Sequence, residues 1–391
     1  MLIRRHAEAT LLQSAREYPV VAVTGPRQSG KTTLVRKVFP DKPYVSLEEL
    51  DERQFAADDP RGFLGRYPEG AILDEVQRCP ELFSYLQTRI DLAKKKGLFV
   101  LTGSQQFNLL SGITQSLAGR VALIPLLPFA LSELQAAKLA PKKLSELLFR
   151  GLYPPMYDGP RQAGIWYGNY MRTYIERDVR QMINVRDLSA FQRFVRMCAG
   201  RTGQLTNLSA LANDCGVTHN TAKAWLSVLE ASYIVHLLQP HHRNFDKRLV
   251  KTPKLYFCDT GLACWLLGIR APAQVDSHAQ RGALFETWAV GELLKARYNR
   301  GLESNLYFWR DRSGNEVDVV IDEGDKLVAV EIKAGQTVSA DYFRNLDHWK
   351  KLAGRIAGTS WLVYGGDKTQ PRKDCHVVPW TEIGAHGNLA G

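Results

Sequence analysis

The chain has 391 residues, 45% of them hydrophobic and 23% charged, with a formal net charge of +11. That length admits two or three domains, and the composition is that of a folded globular protein rather than a disordered or collagen-like one. No apolar run reaches the roughly 18 residues of a membrane span, so no membrane partner is expected. The positive charge suits a polyanion such as nucleic acid as readily as it suits a merely basic cytoplasmic protein.

Six scattered cysteines (Cys79, Cys198, Cys215, Cys258, Cys264 and Cys375) form no CxxC pair. Neither a zinc site nor a disulfide framework is expected, and reduced thiols fit a cytoplasmic location. The pair His241–His242 has no partners at metal-ligand spacing and reads as a solvated turn.

In chain order, MLIRRHAEATLL lacks a long apolar stretch and reads as a first helix, not a signal peptide. Next, YPVVAVTG, KPYVSL, EGAILDE and GLFVLTGS read as strands, with helical patterns between most of them. That alternation predicts an α/β fold, a mainly parallel sheet with helices on its faces. Residues 140–200 look mostly helical, broken at GLYPPMYDGP. Cuts near 150 and 275 give three segments, 1–150, 151–275 and 276–391. The second cut falls in RAPAQVDSHAQRG, which shows no periodicity.

GPRQSGKTT fits G-x-x-x-x-G-K-[ST], with an apolar strand before it and a helical pattern after it. The candidate nucleotide contacts are Gly25, Pro26, Arg27, Gln28, Ser29, Gly30, Lys31, Thr32 and Thr33. The glycines let backbone N–H groups turn inward at phosphate oxygens, and the loop ends at a helix N-terminus. Lys31 would reach the β/γ phosphates of ATP, and Thr32 would ligate Mg²⁺. In GAILDEVQ an apolar strand delivers Asp74 to the Mg²⁺ shell and Glu75 to the attacking water. A third strand ends in Thr102, Gly103 and Ser104, of which Ser104 is the candidate γ-phosphate sensor. Arg120 is a candidate finger for a neighbouring copy in a homo-oligomer, or a surface salt bridge.

The stretches GPRQSGKTT, YVSLEELDERQFAADDP, AILDEVQ, LTGSQQF and LAGRVALIPLLPFALSEL follow one another in order. Together they resemble AAA-type ATPases that carry a C-terminal domain of the DUF4143 class. YMRTYIERDVRQM (170–182) and KRLVKTPKLYFCDTGLACWLLGI (247–269) resemble stretches of the same family. The resemblance covers nearly the whole chain and implies a P-loop AAA-type fold and an ATPase. It leaves the biological role open.

Residues 204–240 read as helix, turn, helix, strand, as in a winged helix. Leu208, Leu211 and Ala212 make one apolar face, Gly216 the turn, Thr218 a cap, and Trp225, Leu226 and Leu229 a core stripe. In a DNA-reading module, early residues of the second helix enter the major groove. Asn220 and Lys223 hold that position, and Arg248 would line the wing. The same segment could equally be a docking module.

Near the C-terminus, NEVDVVIDEGDKLVAVEIKAG reads as a hairpin of two strands with charges inside them. Strict alternation puts Val317, Val319 and Ile321 on one face and Asp318 on the other, where Glu331 and Lys333 can meet it. Two carboxylates that close call for a cation, Mg²⁺ or Mn²⁺. The D-x(12)-E-x-K spacing looks like the PD-(D/E)xK nuclease core, a small mixed α/β domain. The helical pattern of 281–298 would then supply a further acid, Glu286. Two readings follow. One is an ATP-driven nucleic-acid enzyme, with Asp318, Glu331, Lys333 and Glu286 as catalytic residues. The other is an ATP-switched regulatory or scaffold protein whose inert tail docks a partner.

Overall fold

The computed structural model describes residues 2–104, 116–174, 179, 187–241, 250–372 and 374–384. The chain divides into two compact units. The first comprises Met1–Phe129, Ala231–Tyr233 and Tyr298–Leu302, and the second Ala130–Glu230, Ile234–Arg297 and Glu303–Gly391.

In the first unit, strands β1 (Val20–Thr24), β2 (Tyr44–Ser46), β3 (Ile72–Asp74), β4 (Phe99–Gly103) and β5 (Val121–Pro125) form one parallel sheet in the order β2-β3-β4-β1-β5. β1 is buried along its whole length. Its side chains alternate between two cores, Val20 and Ala22 on one face, Val21 and Val23 on the other. A strand covered on both faces has no use for an alternating polar side, which is why it reads VVAVT, four β-branched residues around Ala22. Because β4 lies between β1 and β3, the phosphate loop, the end of β4 and the acidic strand end stand side by side at one edge of the sheet. The first helix, Ala7–Glu17, follows the N-terminal segment as the sequence suggests.

The second unit contains two sheets among the described residues. β6 (Gln204–Leu205), β7 (Val235–Leu238) and β8 (Lys254–Phe257) form an antiparallel sheet in the order β6-β8-β7. Helices Leu208–Cys215 and His219–Ala231 precede β7. Gly216 takes a left-handed φ of 69° that closes the first of these helices, and Thr218 Oγ1 accepts the Thr221 N–H at 3.1 Å at the start of the second. Trp225, Leu226 and Leu229 are buried.

The larger sheet has the order β13-β14-β12-β11-β10-β9, with β9 (Leu306–Arg310), β10 (Glu316–Asp322), β11 (Leu327–Lys333), β12 (Ser360–Tyr364), β13 (Gln370–Arg372) and β14 (Cys375–Pro379). β9, β10 and β11 pair antiparallel; β11, β12 and β14 pair parallel. The helix Arg344–Ala353 covers one face with Leu346, Trp349 and Ala353, and Trp349 meets Trp309 edge-on at 5.4 Å.

Two expectations need correction. RAPAQVDSHAQRG is not irregular, because Pro272 opens a short helix, Pro272–Ser277, at the position where a missing N–H costs nothing. β10 does not alternate strictly either. Its register against β9 slips between Val317 and Val320, so both side chains enter the same core. Such a bulge re-aims the residues between them, Asp318 included.

Candidate functional site

The phosphate loop curls through left-handed backbone at Gly25 (φ 144°), Gln28 (φ 61°) and Gly30 (φ 93°). At Gly25 the curl is also sterically exclusive, since a Cβ there would lie 2.2 Å from the Leu126 carbonyl oxygen. Lys31 is buried at the start of helix Lys31–Val38, and its Nζ donates to the oxygens of Gly25 and Pro26 at 2.9 and 2.8 Å. Ser29 Oγ is buried without a hydrogen-bond partner among the described residues. A closed ring of loop backbone, an ammonium at its mouth and a spare hydroxyl fit a nucleotide's phosphates.

Asp74 is 7% exposed and accepts from three hydroxyls. Thr32 reaches its Oδ2 at 2.9 Å, Tyr44 reaches the same oxygen at 2.7 Å, and Thr102 bonds Oδ1. Thr32 and Asp74, the two residues expected from the sequence to contact Mg²⁺, are therefore joined directly. Glu75 adopts φ 54°, a left-handed conformation that costs a non-glycine residue about 1–2 kcal/mol. The twist carries its carboxylate to Ser104 Oγ, which donates at 3.0 Å, and to Gln77. Tyr44, Gln77 and Tyr233, whose hydroxyl lies 2.7 Å from Thr24 Oγ1 beside the loop, were not singled out from sequence. Nothing in their local pattern distinguishes them from core aromatics or surface amides.

Arg120 lies one residue before β5, at the sheet edge opposite the phosphate loop. β1 and β5 run parallel with Val20 beside Val121 and Thr24 beside Pro125, so the two edges are about 13–17 Å apart. Its guanidinium makes a two-point pair with Asp91, at 2.7 and 3.0 Å. Within its own chain Arg120 is a surface ion pair.

In the second unit, β10 and β11 part at the acidic positions. The ladder pairs Val319 with Val330, and beyond it Asp318 Oδ2 takes the Ile332 N–H at 2.8 Å in place of a backbone oxygen. Lys333 Nζ then lies 3.2 Å from Asp318 Oδ2 and 2.6 Å from Glu331 Oε1. Asn345 also donates to Glu331 Oε1, at 3.2 Å, while Oε2 is buried with no partner among the described residues. Burial and the charge of Asp318 push the Glu331 pKa up to about 8. Lys333 is shifted upward, since the two carboxylates outweigh the cost of its own burial.

Glu286 does not join this set. Helix Arg281–Tyr298 carries it, as expected, but its Oε1 accepts from Lys254 Nζ at 3.0 Å and from Tyr256 at 2.5 Å. Lys254, 2% exposed in β8, also pairs with Glu316. Burial works against the Lys254 charge, yet Tyr256, Glu286, Asp318 and Glu316 hold its pKa above normal. An internal lysine thus neutralises the acid expected to complete a metal site. Among the described residues no three His, Cys, Asp or Glu side chains converge as metal donors.

Asn220 and Lys223 are exposed on the first turns of helix His219–Ala231. Arg248 lies outside the described residues. His241 is no solvated turn residue. It is 5% exposed, with Nε2 3.0 Å from Asp322 Oδ2; His242 lies outside the described residues. All six cysteines are free. Among the described residues, no helix is long and apolar enough to cross a membrane.

Comparison with known proteins finds three family matches along the chain. An AAA domain matches residues 17–135, a domain of unknown function (DUF8612) matches 141–273, and a domain of unknown function (DUF4143) matches 281–383. Among solved structures, the Walker-type ATPase of Pyrococcus abyssi is 16% identical with a TM-score of 0.47, over 68% of this chain and 96% of that one. AMPPCP-bound DnaA from Aquifex aeolicus is 15% identical with a TM-score of 0.31, over 57% and 85%. Likenesses that distant say nothing about function. Much nearer are the uncharacterized proteins Rv2008c of Mycobacterium tuberculosis and Mb2031c of Mycobacterium bovis. Each is 31% identical over 397 aligned residues, covering 100% of this chain and 86% of the relative. The chain belongs to one family with these mycobacterial proteins, and its own domain matches make it an AAA-type ATPase with a C-terminal DUF4143 domain.

Proposed function

We propose that ATP turnover in the first unit drives work on nucleic acid, and that the tail cuts a phosphodiester with Mg²⁺ or Mn²⁺. In this reading residues 1–150 are the motor, 151–275 a winged-helix contact, and 276–391 the nuclease-like tail. Lys31 and the loop amides bind the phosphates, Thr32 and Asp74 hold Mg²⁺, Glu75 orients the attacking water, and Ser104 senses the γ-phosphate through Glu75. Bound Mg²⁺ supplies neutralisation of charge developing on the phosphate oxygens. Arg120, remote from its own loop, serves a second copy if the chain assembles.

The observation that carries the tail assignment is Glu331 Oε2, a buried acidic oxygen that has no hydrogen-bond partner among the described residues, beside Asp318 and Lys333. A divalent cation would satisfy it, with substrate and water completing the coordination that protein side chains leave short. Asn220 and Lys223 at the start of an exposed helix face support duplex contact; the charge of Lys223 would be read as a salt-dependent term.

A second reading is favoured by Lys254. With Glu286 taken up by a buried ammonium, the tail could be an inert docking domain switched by ATP. One assay separates the two. Circular and linear DNA are incubated with the full chain, ATP and Mn²⁺ or Mg²⁺. Cleavage lost in Glu331→Ala supports the nuclease reading. Intact DNA alongside undiminished ATP hydrolysis leaves the docking reading.

A further inference from the structure

One buried charge stands against the phosphate loop from outside the recognised motifs. Arg5 is 5% exposed. Its Nη1 donates to the Ser29 backbone oxygen at 2.8 Å, and its Nη2 to the oxygens of Leu127 at 2.7 Å and Pro128 at 3.4 Å. The guanidinium lies 4.9 Å from the Phe129 ring centroid. Its backbone N–H donates to Glu8 Oε1 at 3.0 Å, and the same carboxylate oxygen lies 2.5 Å from Lys37 Nζ on the helix that leaves the loop. The N-terminal segment therefore grips the phosphate loop at Ser29 and its helix at Lys37.

Peptide geometry gives this grip a consequence. In a trans peptide the C=O and the following N–H point in opposite directions. Drawing the Ser29 carbonyl toward Arg5 therefore turns the Gly30 N–H away from Arg5, and Gly30 is the residue just before Lys31, which bonds back to Gly25 and Pro26. Only a planar fork can hold that carbonyl and the Leu127 carbonyl together while stacking on an aromatic face. We infer that Arg5 is a positioning residue for nucleotide binding, which sets the amide directions of the phosphate loop from behind.

The test compares Arg5→Ala and Arg5→Lys with Leu11→Ala, a fully buried core position in the neighbouring helix. For each full-length variant, MgATP KM and kcat are measured beside the thermal midpoint. Arg5→Ala is expected to raise KM about tenfold with a smaller change in kcat, the loss of a pair of charge-assisted bonds. Arg5→Lys, a single point donor, falls between it and wild type, and millimolar guanidinium lowers the KM of Arg5→Ala. Leu11→Ala lowers the midpoint and leaves KM alone. An unchanged KM in Arg5→Ala overturns the inference, as does an equal KM rise in Leu11→Ala. Should Arg5→Ala fail to fold, a wild-type KM in Arg5→Lys overturns it.

Discussion

Tyr44 donates to Asp74 Oδ2 at 2.7 Å, joining the start of β2 to the end of β3 on the oxygen that Thr32 also reaches. Burial, and then the neighbouring carboxylate, raise the phenol's pKa, so it stays a donor at neutral pH. Its place is that of a group that orients the carboxylate proposed to hold Mg²⁺. Tyr44→Phe should leave ATP binding without magnesium unaltered and raise the Mg²⁺ concentration for half-maximal hydrolysis about tenfold. A magnesium titration of the rate checks this; an unmoved midpoint removes Tyr44 from that role.

Glu75 should separate binding from chemistry. Its strained backbone and its bond to Ser104 hold the carboxylate beside the strand ends that face the phosphate loop. Glu75→Gln keeps the size and loses the charge. Nucleotide affinity should hold within about threefold, while kcat falls about 10²–10³-fold. Ser104→Ala should cost about tenfold or less, because Gln77 still bonds the same carboxylate. Calorimetry with a non-hydrolysable analogue and single-turnover kinetics read the two quantities separately. Wild-type turnover in Glu75→Gln would assign the water to another residue.

Much of this was legible because short motifs carry their own geometry. The spacing of Gly25, Gly30 and Lys31, and an apolar run ending in Asp74, can be read without knowing what lies across the sheet. β5 does not stand out as a strand in sequence, because it is an edge strand and Val121, Ala122 and Leu123 are not fully buried. The faces of Val317 and Val319 were misread because a bulge is set by the partner strand, here β9. Lys254 is the residue of most consequence that local sequence hides. A single lysine opening the run KLYF looks like a strand's solvated end, and only tertiary packing brings Glu286 and Glu316 to it.

That packing predicts an asymmetric response to mutation. Lys254→Met fills the same space but leaves Glu286 and Glu316 without their buried cation. A loss of about 3–5 kcal/mol is expected, the usual result of removing one partner from a buried pair. Adding Glu286→Gln should return part of it, since a neutral amide tolerates the apolar neighbour better than a carboxylate does. Urea unfolding of wild type, both single variants and the double variant gives the coupling. Additive losses would show that Lys254 and Glu286 do not share a network.

Burial, and then the charge of Asp318, lift Glu331 from 4.5 to about 8. Between those values the folded chain keeps a proton that the unfolded chain has released. Unfolding therefore releases a proton, and this residue's contribution to stability falls as pH rises across that window. Lys333 stays charged throughout, because its own pKa is raised, so its pairing does not change the sign. Glu331→Gln keeps an acceptor for Lys333 and Asn345 and removes the titration. The variant should melt higher than wild type by a few degrees near pH 8, with the gap closing toward pH 5. Thermal midpoints across that range, without divalent metal, decide it. A gap that ignores pH, or opens toward the acid side, means that Lys333 outweighs burial and Glu331 is already ionised at neutral pH.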